Sequence, residues 1–158
     1  MKLWVIAAVF GSLLVASAAE AGTYAKVISP SGRVLFTGAS AQFRYPADGS
    51  IVQIGSASSS LNGASLNDIQ VLGGIAQISS IDTFANGRIA LGSIAAAGHL
   101  IPPTPNTLVP LGPAGYMIVN QQAVSNRHVG HMALRLVLRQ AVEAVPAGTE
   151  ILIGTPFA

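Results

Sequence analysis

His128 and His131 stand three residues apart in Arg127-His128-Val129-Gly130-His131, and His99 is the third histidine of the chain. Imidazoles with a carboxylate such as Asp82 are the raw material of a small hydrolase or a metal centre, because catalytic zinc takes three protein ligands and a water. An i,i+3 pair shares one face on a helix. Gly130 and the pattern around it argue for extended chain, where positions three apart point to opposite faces. Surface or loop histidines are therefore expected. Metal-dependent or hydrolytic chemistry at His128 and His131, completed by His99 or Asp82, is the alternative. No residue is assigned as catalytic, cofactor-binding or metal-ligating, and no cofactor is expected.

Other chemistries fail on their own patterns. Asp82-Thr83-Phe84-Ala85-Asn86-Gly87 has the opening of a calcium loop, but Phe84 stands where an oxygen ligand belongs and Ser93 where the twelfth-position glutamate belongs. The chain holds no G-x-S-x-G nucleophile elbow. A glycosidase needs two carboxylates around a sugar. Only five of the six acids lie beyond residue 21, and the only tryptophan, Trp4, precedes it. Phe43-Arg44-Tyr45 alternates aromatic and cationic side chains. It suits either an exposed contact patch or an ordinary strand with Arg44 pointing out.

Whatever chemistry exists is expected outside the cytoplasm. Lys2 precedes an uncharged run of about 14 to 17 residues, followed by Ala19-Glu20-Ala21 and Gly22. These are the n-region, h-region and small-residue cleavage site of a secretory signal peptide. The run is short of the ~20 residues of a membrane span. Cleavage after Ala21 is expected, with Ala18 as the alternative, leaving about 137 residues as one domain over 22–158. No second long apolar segment follows, and the chain stops at Thr155-Pro156-Phe157-Ala158 without a basic-flanked tail. The expectation is a secreted chain, without a membrane span after cleavage, that is free or associated with the cell envelope.

Composition narrows the class further. There is no cysteine, so no disulfide, thiol nucleophile or lipid-carrying cysteine enters the argument. Charged residues are 9% of the chain, and the eight basic ones form no cluster able to track a phosphate backbone. Nucleic acid is not expected as a partner; a cell-envelope component or another protein is. Polarity rests on Ser, Thr, Asn, Gln and Gly, a balance that favours strands over solvent-facing helices.

The elements follow from turn chemistry. Tyr24-Ala25-Lys26-Val27-Ile28 and Arg33-Val34-Leu35-Phe36 flank the turn Ser29-Pro30-Ser31-Gly32, a first hairpin or a loop and strand. Ile51–Ser60, Ile69–Leu72 and Ile75–Phe84 read as strands, with a bend at Gly73-Gly74. Asn86-Gly87 predicts a two-residue type I′ turn pairing 88–95 back on 78–85. That register sets Phe84 against Ile89 and Asp82 against Leu91, and the carboxylate–leucine mismatch marks where the pairing would fray or shift. Five of the nine prolines fall between Gly98 and Pro113, so this stretch should cross the surface between the halves of the domain. Tyr116–Val124 predicts a strand. In 131–145, Leu134, Leu136 and Leu138 alternate as in a strand, while Leu134, Leu138, Ala141 and Val145, with Arg139 and Glu143 four apart, fit a helix face. A strand over 131–139 followed by a loop is favoured. Pro146-Ala147-Gly148-Thr149 turns into a last strand, opened by Glu150 as a solvated charge. The sum is an all-β antiparallel sandwich or barrel.

Two blocks carry a resemblance. One runs from Ser58-Ser59-Ser60-Leu61-Asn62-Gly63 through Ile69-Gln70-Val71-Leu72-Gly73-Gly74-Ile75 to Ser79-Ser80-Ile81. The other joins Pro105-Asn106-Thr107, Tyr116-Met117-Ile118-Val119-Asn120-Gln121-Gln122, Ala133-Leu134-Arg135-Leu136 and Val145-Pro146-Ala147-Gly148-Thr149-Glu150-Ile151-Leu152-Ile153-Gly154. Together they resemble the choice-of-anchor P domains of actinobacterial-type bacteria. The resemblance implies an exported β-rich domain, often surface-tethered, and brings no catalytic residues with it. The resulting expectation is a non-enzymatic β-domain with a structural or interaction role at or outside the cell surface. A third possibility, a ligand carrier, would require an apolar pocket between the sheets.

Overall fold

Four strands in the middle of the chain each place an isoleucine at the same height, and that row organises one half of the molecule. The computed structural model describes residues 24–39, 41–125 and 128–154. The expected signal peptide, Arg127 and the terminal residues 155–158 lie outside the described residues.

The chain starts in one sheet, crosses to a second and returns. β1 (Ala25–Ile28) and β2 (Val34–Gly38) form the first hairpin. In the second sheet, β3 (Phe43–Tyr45), β4 (Val52–Ser60), β5 (Gly63–Val71) and β6 (Ala76–Phe84) run as an antiparallel meander. β7 (Ile89–Leu91) and β8 (Ile94–Ala96) both pair with β6, and β9 (His99–Ile101) forms the far edge. The exposed residues 102–106, which include Pro102, Pro103 and Pro105, carry the chain back. β10 (Thr107–Pro110), β11 (Gly115–Ser125), β12 (His128–Leu138) and β13 (Glu150–Ile153) then complete the first sheet.

The first sheet has the order β10-β11-β12-β13-β1-β2, and the second β3-β4-β5-β6-β8-β9 with β7 beside β6. The expected all-β antiparallel class holds in its sandwich form, with no closed barrel. A 3₁₀ turn at Gly112–Ala114 is short, and no α-helix occurs among the described residues. The helical alternative for 131–145 gives way to β12, which ends at Leu138, and to a loop closed by the bridge between Val142 and Val145.

One apolar cluster drawn from both sheets fills the space between them. In the second sheet Ile54, Ile69, Ile78 and Ile94 stand side by side across β4, β5, β6 and β8. Ala57, Leu66, Ile81 and Leu91 form the neighbouring row. Inward positions on a flat strand repeat every second residue, yet each strand here steps by three between these rows. Gly55-Ser56, Asn67-Asp68, Ser79-Ser80 and Gly92-Ser93 take up the extra residue and stay out of the core. Asp68 absorbs it with a left-handed φ of 56°, a conformation that Asp tolerates. Aligned irregularities of this kind bend a whole sheet at one level. Two buried polar side chains stand out among the described residues, Thr83 and Thr149. Thr83 Oγ1 accepts from the Ala64 amide at 3.2 Å, and Thr149 Oγ1 donates to the Pro146 carbonyl at 2.8 Å.

The Asn86-Gly87 turn is where expected, but its register is not. Ile81 faces Leu91, Asp82 faces Ala90 and Thr83 faces Ile89. The loop is Ala85-Asn86-Gly87, one residue longer than a type I′ turn. The Phe84 amide donates to Arg88 O and the Gly87 amide to Phe84 O, both at 2.9 Å. Gly87 alone takes a positive φ, 80°, in the geometry of a three-residue hairpin. The extra residue moves Leu91 off the carboxylate and onto Ile81, so apolar meets apolar. The strand expected over 88–95 is also broken in two at Gly92-Ser93.

Candidate functional site

The histidines and Asp82 are held apart. His131, half-buried on β12, sets Nδ1 at 3.2 Å from the Gly87 carbonyl and so ties the first sheet to the β6–β7 turn. His99 is exposed on edge strand β9. The side chain of His128 lies outside the described ones. Asp82 sits on β6 opposite Ser65, which faces Ser58 on β4. These three help line a shallow surface depression of about 300 Å³. No group of three His, Asp or Glu side chains able to hold a metal ion forms among the described residues. Asp82–Phe84 belongs to a strand, so the hairpin displaces the calcium-loop geometry.

A second depression, about 250 Å³, follows the bend of the second sheet and is lined by Asp68, Gln70, Gln77, Ser79, Ser93 and Ala95. Ser79 Oγ accepts from the Ser93 amide at 2.8 Å, so part of its polarity stitches the strand break together.

Other polar side chains depart from their expected surroundings. Glu150 is not a lone solvated charge. Arg135 donates to both of its carboxylate oxygens, at 3.0 and 2.8 Å, from the next strand. The carboxylate beside it raises the Arg135 pKa above the ordinary guanidinium value. Arg139 lies 4.9 Å over the Tyr116 ring, while Glu143, its helical partner in the other reading, accepts from Ser50 Oγ at 3.2 Å. Asn120 bonds loop backbone, donating to the Pro103 carbonyl at 3.0 Å. The neighbouring Gln121 has its Oε1 buried without a hydrogen-bond partner.

The longest run of apolar exposure lies on β2. Val34, Leu35 and Phe36 are 49%, 47% and 48% exposed, and β2 is the last strand of its sheet. The reason is local and physical. β2 pairs with β1 on one side only, and Leu35 is skipped in that pairing. Phe36 leans inward toward β3, its ring centroid 5.7 Å from Phe43 and 6.3 Å from Tyr45. Tyr24 meets Phe43 edge-on at 6.3 Å, so four rings seal the seam between the two sheets. Gly38 makes room for them: a Cβ there would strike the Phe43 ring and lie 3.2 Å from Ala25 Cβ. The Phe43-Arg44-Tyr45 segment therefore resolves as a strand with Phe43 buried and Arg44 pointing out. The exposed aromatic of the seam is Phe36, which sequence reasoning assigned to an ordinary first hairpin.

The other edges are guarded. β3 carries exposed Arg44 and is followed by Pro46; β9 is three residues long and followed by Pro102; β10 contains Pro110. Prolines, charges and short length are the usual means of keeping an open edge from pairing. β2 carries no proline or charge over its five residues, and a bulge at Leu35 interrupts its pairing with β1.

No protein-family model matches the chain, no curated protein matches it, and no solved structure matches its fold.

Proposed function

We propose that the chain is an exported, non-enzymatic interaction module acting at or outside the cell surface, as free protein or bound to an envelope component. The observation that carries this reading is the exposed apolar run Val34-Leu35-Phe36 on edge strand β2. Exposed apolar side chains gathered on one strand mark interaction surfaces in soluble domains, and an open edge adds a row of unsatisfied backbone donors and acceptors. Three further features support it: the signal-peptide pattern of residues 1–21, the cysteine-free β composition, and the motifs that resemble those of choice-of-anchor P domains. The bent, polar outer side of the second sheet offers a further contact surface.

Cell fractionation of the native host, with the intact mass of the recovered chain, tests the reading. A chain beginning at Gly22, found in the envelope or medium, is the expected result. Recovery in the cytoplasm at full mass overturns it. Metal analysis of the purified protein tests the enzymatic alternative. Stoichiometric metal that disappears in His128→Ala/His131→Ala replaces the interaction module with a metal-dependent enzyme.

A further inference from the structure

We propose that Asn86 is a modification site: its carboxamide deamidates in the folded protein through a cyclic imide with Gly87, with water as the co-reactant. The site is independent of the interaction-module reading.

The chemistry needs an asparagine carboxamide and a following backbone nitrogen with little bulk around it. The Gly87 nitrogen attacks Asn86 Cγ and forms a new C–N bond. The side-chain nitrogen leaves as ammonia, taking the proton of the Gly87 amide, and the imide ring is closed. Water then opens the ring at Cγ to give aspartate, or at the backbone carbonyl carbon to give isoaspartate. Glycine leaves the attacking nitrogen least hindered, and Asn-Gly occurs twice in the chain, at Asn62-Gly63 and Asn86-Gly87. Both asparagines are exposed. Their surroundings separate them.

Asn62 is clamped. Its carbonyl accepts from the Ala85 amide at 2.9 Å, and its amide donates to Ser60 Oγ at 3.2 Å. Gly63 is paired with Ser60 on one side and with Phe84 on the other, and it packs on Thr83 so closely that a Cβ would fall on the carbonyl oxygen. Ring closure turns the backbone between Asn62 and Gly63, which would pull Gly63 off both strands. Asn86, on the neighbouring turn, has the freedom that Asn62 lacks. Neither its backbone amide nor its carbonyl makes a backbone hydrogen bond among the described residues. Nothing lies within 4 Å of the place a Gly87 Cβ would take.

The turn also aids the attack. The Arg88 amide donates to Asn86 Oδ1 at 3.0 Å. That bond folds the carboxamide forward along the chain, toward the Gly87 nitrogen. It meets the same oxygen on which negative charge develops when the nitrogen adds to Cγ. One bond opposes: the Gly87 amide donates to the Phe84 carbonyl at 2.9 Å and must be released first. An ordinary hydrogen bond slows the folded protein by roughly 2- to 12-fold against the unfolded chain.

The product changes the turn. Residues 84–88 carry one ionisable side chain, Arg88, and either product adds a carboxylate to them. Isoaspartate also inserts a methylene into the backbone just before Gly87, whose carbonyl lies 3.2 Å from His131 Nδ1. The modification therefore acts on the tie between the first sheet and the β6–β7 turn.

The chain as exported is incubated folded in mildly alkaline buffer at physiological temperature, beside a sample in guanidinium chloride that serves as the unfolded clock. Aliquots are digested with pepsin in acid, where the imide no longer forms, and fragmentation of the peptides locates the rise of about 1 Da that marks NH2 replaced by OH. In the unfolded sample Asn62 and Asn86 convert alike. In the folded sample Asn86 is expected to convert within about 12-fold of its unfolded rate, and Asn62 at least about tenfold more slowly than Asn86. An Asn86 that stays intact in the folded protein while the unfolded clock runs to completion, or an Asn62 that keeps pace with it, overturns the proposal. The isoaspartyl fraction, separated by chromatography, is expected to melt roughly 3–6 °C below Asn86→Asp, which has the charge without the methylene. Coincident midpoints overturn the effect on the His131 tie.

Discussion

Removing Phe43 should cost far more than removing Phe36, and the two should be coupled. Phe43 is 3% exposed and Phe36 48% exposed, and their rings meet at 5.7 Å with a 58° tilt. Phe43→Ala removes a core ring and leaves a cavity at the seam, which costs about 3–5 kcal/mol. Phe36→Ala loses roughly half of a buried aromatic's ~1.5–3 kcal/mol transfer gain, plus its share of the ring contacts, or about 1–2 kcal/mol. The ring pair itself contributes ~0.5–1.5 kcal/mol beyond area, and a double-mutant cycle should recover that coupling. Urea unfolding of the four proteins at 25 °C is the assay, run at low micromolar concentration so that association does not enter. Equal m-values are expected if each variant unfolds from the same two-sheet sandwich. A coupling below ~0.3 kcal/mol, or Phe36→Ala as costly as Phe43→Ala, would refute the account of the seam as a ring cluster anchored on Phe43.

Gly63→Ala should destabilise by at least ~2 kcal/mol, because its φ is 145° and a Cβ there falls on the Thr83 carbonyl oxygen; a variant within ~0.5 kcal/mol of wild type in the same unfolding assay would contradict the packing of β5 on β6. Glu150→Gln should cost no more than about 1 kcal/mol, since the pair with Arg135 is roughly a third exposed, and the loss should shrink in high salt. Asp48 has its pKa lowered chiefly by the Ser50 amide, which donates to its carboxylate at 2.9 Å. A lowered folded pKa adds stability above the ordinary carboxylate range and loses it as pH falls through the lowered value. Thermal midpoints of wild type and Asp48→Asn should therefore differ slightly at neutral pH and converge in acid; divergence in acid would reverse the sign of that argument.

Turn chemistry made the architecture legible. Gly, Pro and Asn cluster at fixed intervals between short apolar runs, and that alone separates a sandwich from a helical domain. Register was harder, because it depends on one residue of loop length. Phe84 against Ile89 looks like a sound cross-strand pair, and only Asp82 against Leu91 betrayed the slip. The three-residue turn cured it by setting Leu91 on Ile81. The step of three between Ile54 and Ala57, Leu66 and Ile69, Ile78 and Ile81, and Leu91 and Ile94 is written in the sequence as well. It gains meaning only once four strands are aligned, because one such step looks like noise in an alternation and four at one height bend a sheet.

The exposure of β2 could not be read locally at all. Val34-Leu35-Phe36 is as apolar as Val71-Leu72 or Ile151-Leu152-Ile153, and composition assigns all of them to a core. What separates them is a pairing made at the far end of the chain. β13 closes on β1 rather than on β2, which leaves β2 outermost. Had β13 docked on β2, Phe36 would be an ordinary core ring and Lys26 would lie on the edge strand, where its charge would discourage pairing. The order of strands, set by contacts more than a hundred residues apart, therefore decides whether the same three side chains stabilise the fold or offer it a partner.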